Sequence, residues 1–200
     1  SLHPVEIITS GGGGIAVTNS EEYMLRMASL RSHGITREVD LMTIEPDGPW
    51  FYQQLELGFN YRMTELQGAI GKIQLSKLDF IIKNNKLRYE ALLNSMGKNF
   101  NLRKITKNSE IIFDTLIFFE ENENLRNKIV QHLKKQGFGT KNLPDAIEWH
   151  CASFWDHALT KDQINRTKKT QSILNKAIAI PFWLKKSVTD YSILANYFKY

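Results

Sequence analysis

Two hundred residues, 42% hydrophobic and 24% charged, suffice for one large domain or two small ones with a substantial core. The formal charge of +5 suggests anionic partners, yet the basic residues are scattered in pairs such as Lys83 and Lys86, Lys134 and Lys135, or Lys168 and Lys169. They alternate with apolar positions at helical spacing, which argues for solvated helix faces and against a nucleic-acid groove. Cys151, the only cysteine, excludes an intrachain disulfide, leaves no cysteine cluster for a metal, and fits a reducing cytoplasmic setting as a small buried side chain.

No stretch has the length of a membrane-spanning helix, and the N-terminus shows no signal-peptide pattern. The chain opens without Met inside an apparent strand, so a piece of something longer is expected. Val5–Thr9 is β-rich, Gly11–Gly14 interrupts it, and Ile15–Thr18 resumes the pattern, predicting two strands joined by a glycine turn. Asn19 and Ser20 are caps for a helix carrying Met24, Met27, Ala28 and Leu30, stopped by Gly34. Residues 35–59, with Pro46, Gly48, Pro49 and Gly58, form a long connection of the kind that is functional or packed on a neighbour.

Thr64 followed by Gln67 is a capping box. From Leu66 to Met96 the apolar residues keep helical spacing without a proline, predicting one long helix or two nearly continuous ones. Ile111–Phe119 is the second β-rich run. A helix follows with Leu125, Ile129 and Leu133 in step and Gly137 as its stop. Phe138–Thr140 is expected to begin a short strand. Thr160 with Gln163 opens a capped helix, Ala177–Phe182 reads as a strand, and Ser187 with Asp190 caps the last helix. The β-rich clusters lie on either side of the long helix, which places a domain boundary near residue 95.

Several segments match one signature in order. Ser1-Leu2-His3-Pro4-Val5-Glu6 and Ile8-Thr9-Ser10-Gly11-Gly12-Gly13-Gly14 come first, then Arg31-Ser32-His33-Gly34-Ile35 and Pro46-Asp47-Gly48-Pro49-Trp50. Leu57-Gly58-Phe59-Asn60-Tyr61-Arg62-Met63-Thr64-Glu65-Leu66-Gln67 follows, and Gln74-Leu75-Ser76-Lys77-Leu78-Asp79 closes the series. Together they resemble the DegT/DnrJ/EryC1/StrS aminotransferases, whose motif reads S-x-H-x-x-K and then T-T-G-E-G-G. Lys141–Ala146 and Trp149-His150 resemble the branch acting on eight-carbon keto-sugar acids of lipopolysaccharide, while the first half is closer to the branch acting on nucleotide-linked 4-keto sugars.

The resemblance implies an α/β fold: the end of the large domain of a fold-type-I transferase dependent on pyridoxal 5′-phosphate (PLP), residues 1–95, and a small α+β C-terminal domain, residues 96–200. It implies a cytoplasmic enzyme that moves an amino group from glutamate to a keto sugar, working as a homodimer or with a related subunit. Neither nucleic acid nor membrane is an expected partner. In that pattern Ser1 matches a serine binding the cofactor phosphate, and Asn60 an asparagine reaching the phosphate of the partner's cofactor. The bland alternative for Asn60 is a residue ending the loop before the helix.

Arg62 has the planar fork that suits a carboxylate or phosphate, and a structural salt bridge is the alternative. His150, with Trp149 and Trp155, falls where the family shapes its sugar pocket, and an aromatic core cluster is the default reading. Glu6 occupies the position of the lysine that forms the Schiff base, and a carboxylate cannot form an imine. Gly12 departs a second time, since the family has glutamate there. The chain is therefore expected to be inactive alone, either as a fragment of an aminotransferase or as a non-catalytic relative that binds a sugar nucleotide or pairs with an active paralogue.

Overall fold

A computed structural model of the protein describes residues 1–139 and 147–198. The chain divides into two compact units, Ser1–Leu78 and Asp79–Tyr200. In the first unit, helix α1 (Glu21–Arg31) starts where the Ser20 side chain accepts the Tyr23 amide N–H, with Glu21 and Glu22 at the positive end of the helix dipole. Strands β1 (Ile35–Thr36) and β2 (Gln53–Gln54) pair antiparallel across the long connection. Helix α2 (Glu65–Ser76) begins with the expected capping box, in which Thr64 and Gln67 satisfy each other's backbone N–H groups.

The two strands expected at residues 5–9 and 15–18 do not form. A strand needs a ladder partner; instead the Leu2 N–H bonds to Gly13 O at 3.0 Å and the Ser10 N–H to Leu2 O at 3.1 Å, folding the segment into a loop.

Helix α3 (Leu78–Met96) follows α2 after the single residue Lys77, so the long helical run is two helices. Strands β3 (Asn101–Leu102), β4 (Thr115–Phe119) and β5 (Ala177–Pro181) make an antiparallel sheet in that order, with Phe118 opposite Ile178. Helix α4 (Glu123–Lys135) lies between β4 and β5 in sequence, capped by Asn122 at one end. At its other end Gly137, at φ 71°, lets the Phe138 N–H reach Leu133 O at 2.9 Å.

Among the described residues, four further α-helices belong to the unit: α5 (Ile147–His150), α6 (Lys161–Arg166), α7 (Lys168–Leu174) and α8 (Val188–Leu194). The boxes Thr160–Gln163 and Ser187–Asp190 cap α6 and α8 as expected. Phe138 and Gly139 belong to no strand, and Thr140 lies outside the described residues.

The core sits entirely in this second unit. Alternation along β4 turns Leu116 and Phe118 inward, where they meet Leu92 of α3, Ile129 and Leu133 of α4, and Tyr191 and Leu194 of α8. Tyr191 is fully buried, yet its hydroxyl is satisfied twice: it donates to Pro181 O at 2.9 Å and accepts the Trp183 N–H at 3.0 Å. Burial pushes its pKa up to about 12. Buried Arg88 donates to the carbonyls of Asn84, Leu184 and Lys186, tying α3 to the turn before α8.

Candidate functional site

The first unit carries Ser1, Glu6, Asn60 and Arg62 on two loops. The first loop, residues 1–14, is held by its own bonds: the Thr9 hydroxyl donates to Leu2 O at 2.9 Å and the Gly11 N–H to Thr9 Oγ1 at 2.9 Å. Gly11 and Gly13 take φ values of 82° and 84°, a region glycine reaches without strain, so the glycine run serves the turn itself. A Cβ built on Gly13 would stand 3.2 Å from Met63 Cε, and one on Gly12 would stand 3.7 Å from Gln67 Nε2. The glycine loop therefore lies against the entry to α2. That contact puts Ser1 and Glu6 on the loop bordering the segment that carries Asn60 and Arg62.

Within the first loop, Ser1 Oγ accepts the His3 N–H at 3.3 Å, and the Glu6 N–H bonds to His3 O at 3.0 Å, closing a turn. Both Ser1 and Glu6 are exposed. None of residues 1–14 is a lysine. The donor set does not fit PLP as a covalently held group: a carboxylate at residue 6 has no amine to condense with an aldehyde and repels an anionic phosphate.

The second loop is fastened by a backbone zipper. The Phe59 N–H bonds to Leu30 O at 2.8 Å, the His33 N–H to Phe59 O at 2.9 Å, and the Tyr61 N–H to Arg31 O at 2.9 Å. Close approach requires glycine at two places. A Cβ on Gly58 would fall 2.2 Å from Gly34 N, and one on Gly34 would fall 1.9 Å from Glu56 O. Next to this junction, Arg62 Nε donates to Asn60 Oδ1 at 3.2 Å, and the Phe59 and Tyr61 rings stack with centroids 4.9 Å apart. Asn60 thus both ends the loop, through its bridge to Ser32, and orients Arg62. Arg62 is exposed and forms no ion pair among the described residues, so the salt-bridge alternative is not realised there.

His150 ends α5 in the second unit and is exposed. The aromatic segment around it is not a core cluster: Trp149 is 77% exposed, and Trp155 uses its indole N–H to hold Trp149 O at 3.1 Å. A four-residue helix has too little surface to bury such rings. Lys141–Ala146 lies outside the described residues. The structure therefore joins Asn60 to Arg62, places Ser1 and Glu6 on one loop where each bonds to His3, and leaves His150 on the other unit. The mutual fit of Gly34 and Gly58 had no advance signal beyond two glycines in matching motifs.

The sequence model of the DegT/DnrJ/EryC1/StrS aminotransferase family matches residues 1–193. The GDP-perosamine synthase of Caulobacter vibrioides is 36% identical over 162 residues, covering 78% of this chain and 40% of that protein. The UDP-4-amino-4,6-dideoxy-N-acetyl-beta-L-altrosamine transaminase of Campylobacter jejuni is 32% identical over 129 residues, 60% of this chain and 31% of that protein. Among solved structures, Helicobacter pylori PseC, an aminotransferase involved in the biosynthesis of pseudoaminic acid, superposes with a TM-score of 0.70 at 18% identity. That match covers 99% of this chain and 52% of the PseC chain, so the chain spans about half the length of such a protein. At that identity the likeness establishes the α/β fold and nothing finer.

Proposed function

Because the chain belongs to the DegT/DnrJ/EryC1/StrS aminotransferase family, we propose that it is a sugar-aminotransferase relative that performs no amino transfer by itself. The observation that carries this reading is Glu6: an exposed acid on a loop without lysine, at the position where the family places its amine nucleophile. When present in an active relative, PLP supplies the electron sink for moving the amino group from glutamate to a keto sugar. Here Ser1, Asn60 and Arg62 retain hydrogen-bond donors suited to an anion, while the group that reacts is missing. The names of the relatives favour a nucleotide-linked keto sugar as the ligand of the parent scaffold, with the lipopolysaccharide sugar acids as the other branch.

The domain plan in this reading is residues 1–95 for the end of the large domain and 96–200 for the small one, in a cytoplasmic protein. A second reading, a non-catalytic partner of a related active subunit, is favoured by the faces of α1 and α2, which have no buried residue among the described ones. Homodimerisation is the same surface used with an identical chain.

The test is chemical. The protein is incubated with PLP, reduced with borohydride and mapped by peptide. The expected result is low, scattered labelling of surface lysines, and a Glu6→Lys variant that gains a dominant label at residue 6. A single lysine labelled stoichiometrically in the unaltered protein would overturn the reading.

A further inference from the structure

The second unit contains a cavity of about 250 Å³ between α3, the outer face of β4 and the segment joining β3 to β4. Its polar walls are Tyr89, Arg103, Glu110, Asp114 and Thr115, and its apolar surface comes from isoleucines such as Ile105, Ile112 and Ile117. Alternation along β4 explains the floor: Leu116 and Phe118 enter the core, so Thr115 and Ile117 face the other way. Residues 103–113 arch over it. The arch begins at the Arg103 N–H, bonded to Ile117 O at 2.9 Å, and turns at Asn108, which has φ 64°.

The arch is held under strain. Phe113 adopts φ 53°, a left-handed conformation that is an outlier for a bulky side chain. It is kept there by ring contacts, since Tyr89 meets Phe113 edge-on with centroids 5.3 Å apart and Lys86 Nζ stands 5.9 Å from the ring centre. Strain of this kind clusters at ligand sites. The left-handed Phe113 lines the cavity together with Ile105, Ile111, Ile112 and Ile117.

Of the three charges on the wall, Asp114 is engaged and accepts the Thr115 hydroxyl at 3.2 Å, while Arg103 and Glu110, of opposite sign, do not satisfy each other. Arg103 and Glu110 line the same cavity, yet neither side chain forms an ion pair or hydrogen bond among the described residues. A guanidinium fork recognises a carboxylate in two places at once, and a carboxylate recognises an ammonium. With isoleucines beside the two poles, the complementary molecule is a short zwitterion with an apolar branch. Burial raises the Tyr89 pKa, an effect that Arg103 partly offsets, so its hydroxyl stays protonated at neutral pH and can bond a carboxylate oxygen.

We propose that this cavity binds an α-amino acid with an aliphatic side chain, its carboxylate on Arg103 and Tyr89, its ammonium on Glu110, and its side chain against Ile105, Ile112 and Ile117. The site is built from residues of the second unit alone and does not rest on the sugar-aminotransferase reading, so it stands if that reading fails.

L-leucine is the probe, titrated into the 200-residue protein and followed by isoleucine methyl shifts and by calorimetry. The expected result is saturable binding with shifts at Ile112 and Ile117. Arg103→Gln and Glu110→Gln should each weaken it about tenfold or more, the loss for one hydrogen bond to a charged group, with melting temperature unchanged because both side chains are exposed and unpaired. Isocaproate, lacking the ammonium, and isoamylamine, lacking the carboxylate, should bind weaker by a similar factor. Absence of saturable binding overturns the proposal. Isocaproate binding as well as leucine overturns it too, since the site would then be a simple anion site. So does leucine binding that survives both substitutions.

Discussion

The second unit closes its apolar residues on one another: β4 and β5 supply Leu116, Phe118, Ile178 and Ile180, and three helices cover them. The first unit has two helices of eleven and twelve residues, and neither buries a residue. Its buried positions among the described residues are Ser10, Gly34 and Thr36, none of them a large apolar side chain. Leu66 on α2 is 78% exposed, whereas Phe118 on β4 is 0% exposed. One unit is therefore stabilised by hydrophobic burial, and the other by backbone hydrogen bonds, caps and glycine contacts. Ser1, Glu6, Asn60 and Arg62 sit on the second kind of support, which implies that their geometry depends on whatever covers α1 and α2.

Truncation of an apolar side chain separates the two most widely. Phe118→Ala leaves a cavity in a closed core and should cost about 3–5 kcal/mol, read as a fall in the denaturation midpoint. Leu66→Ala removes a side chain already in water and should change stability by less than about 0.5 kcal/mol. If the two losses come out equal, the α2 face is covered in solution, and the contrast between the units is an incomplete picture of the working protein.

Glycine substitutions probe the support of the first unit from within. Gly58→Ala drives a methyl group into Gly34 N and His33 C at 2.2 and 2.5 Å, both backbone, so nothing soft can yield. The cost should reach about 3 kcal/mol, the upper range for overpacking, and amide exchange at His33, Phe59 and Tyr61 should accelerate together. Gly68→Ala on α2 meets nothing within 4 Å and should instead stabilise the helix by about 0.5–1 kcal/mol. Equal behaviour of the two variants would show that the zipper around Asn60 contributes little.

Local chemistry explains what could be read in advance. The pairs Thr64–Gln67, Thr160–Gln163 and Ser187–Asp190 each form a capping box as expected, because a cap involves neighbours in sequence. Ile111–Phe119 became strand only from Thr115, since the left-handed Phe113 breaks the extended run. The two strands expected around Gly11–Gly14 failed because pairing is non-local, and β-propensity states only that a segment would fit a sheet. Asn60 and Arg62 could be placed together, being two residues apart. Gly34 and Gly58 could not be matched, because a single sequence does not say which glycine must meet a distant backbone.

In the second unit, Tyr191→Phe tests whether polar satisfaction matters beside the apolar core. The variant keeps the ring but leaves the Trp183 N–H and Pro181 O without their partner, at a cost of about 1–3 kcal/mol. A loss as large as that of Phe118→Ala would mean that the turn after β5 unfolds as well.

The smallest effect is expected at His132, whose ring stacks on Tyr197 with centroids 3.8 Å apart. Its pKa is lowered, first by burial and then by the nearby charge of Lys135. The native state thus binds a proton less readily than the unfolded chain, whose histidine titrates near about 6.5. Between the native value and that one the unfolded state holds more protons, so stability rises with pH, is complete above the unfolded value and is lost as pH falls through the native one. Nε2 is buried and has no hydrogen-bond partner among the described residues, so protonating it would place a donor where none of them accepts. The melting temperature should therefore decline from pH 7 to pH 5, and His132→Phe, which keeps a ring against Tyr197, should flatten the decline without abolishing it. A slope unchanged by His132→Phe would remove His132 as its source; Asp190, whose pKa is held low by the Ser187 N–H and hydroxyl, loses its contribution only below about pH 5, as pH falls through the carboxylate range.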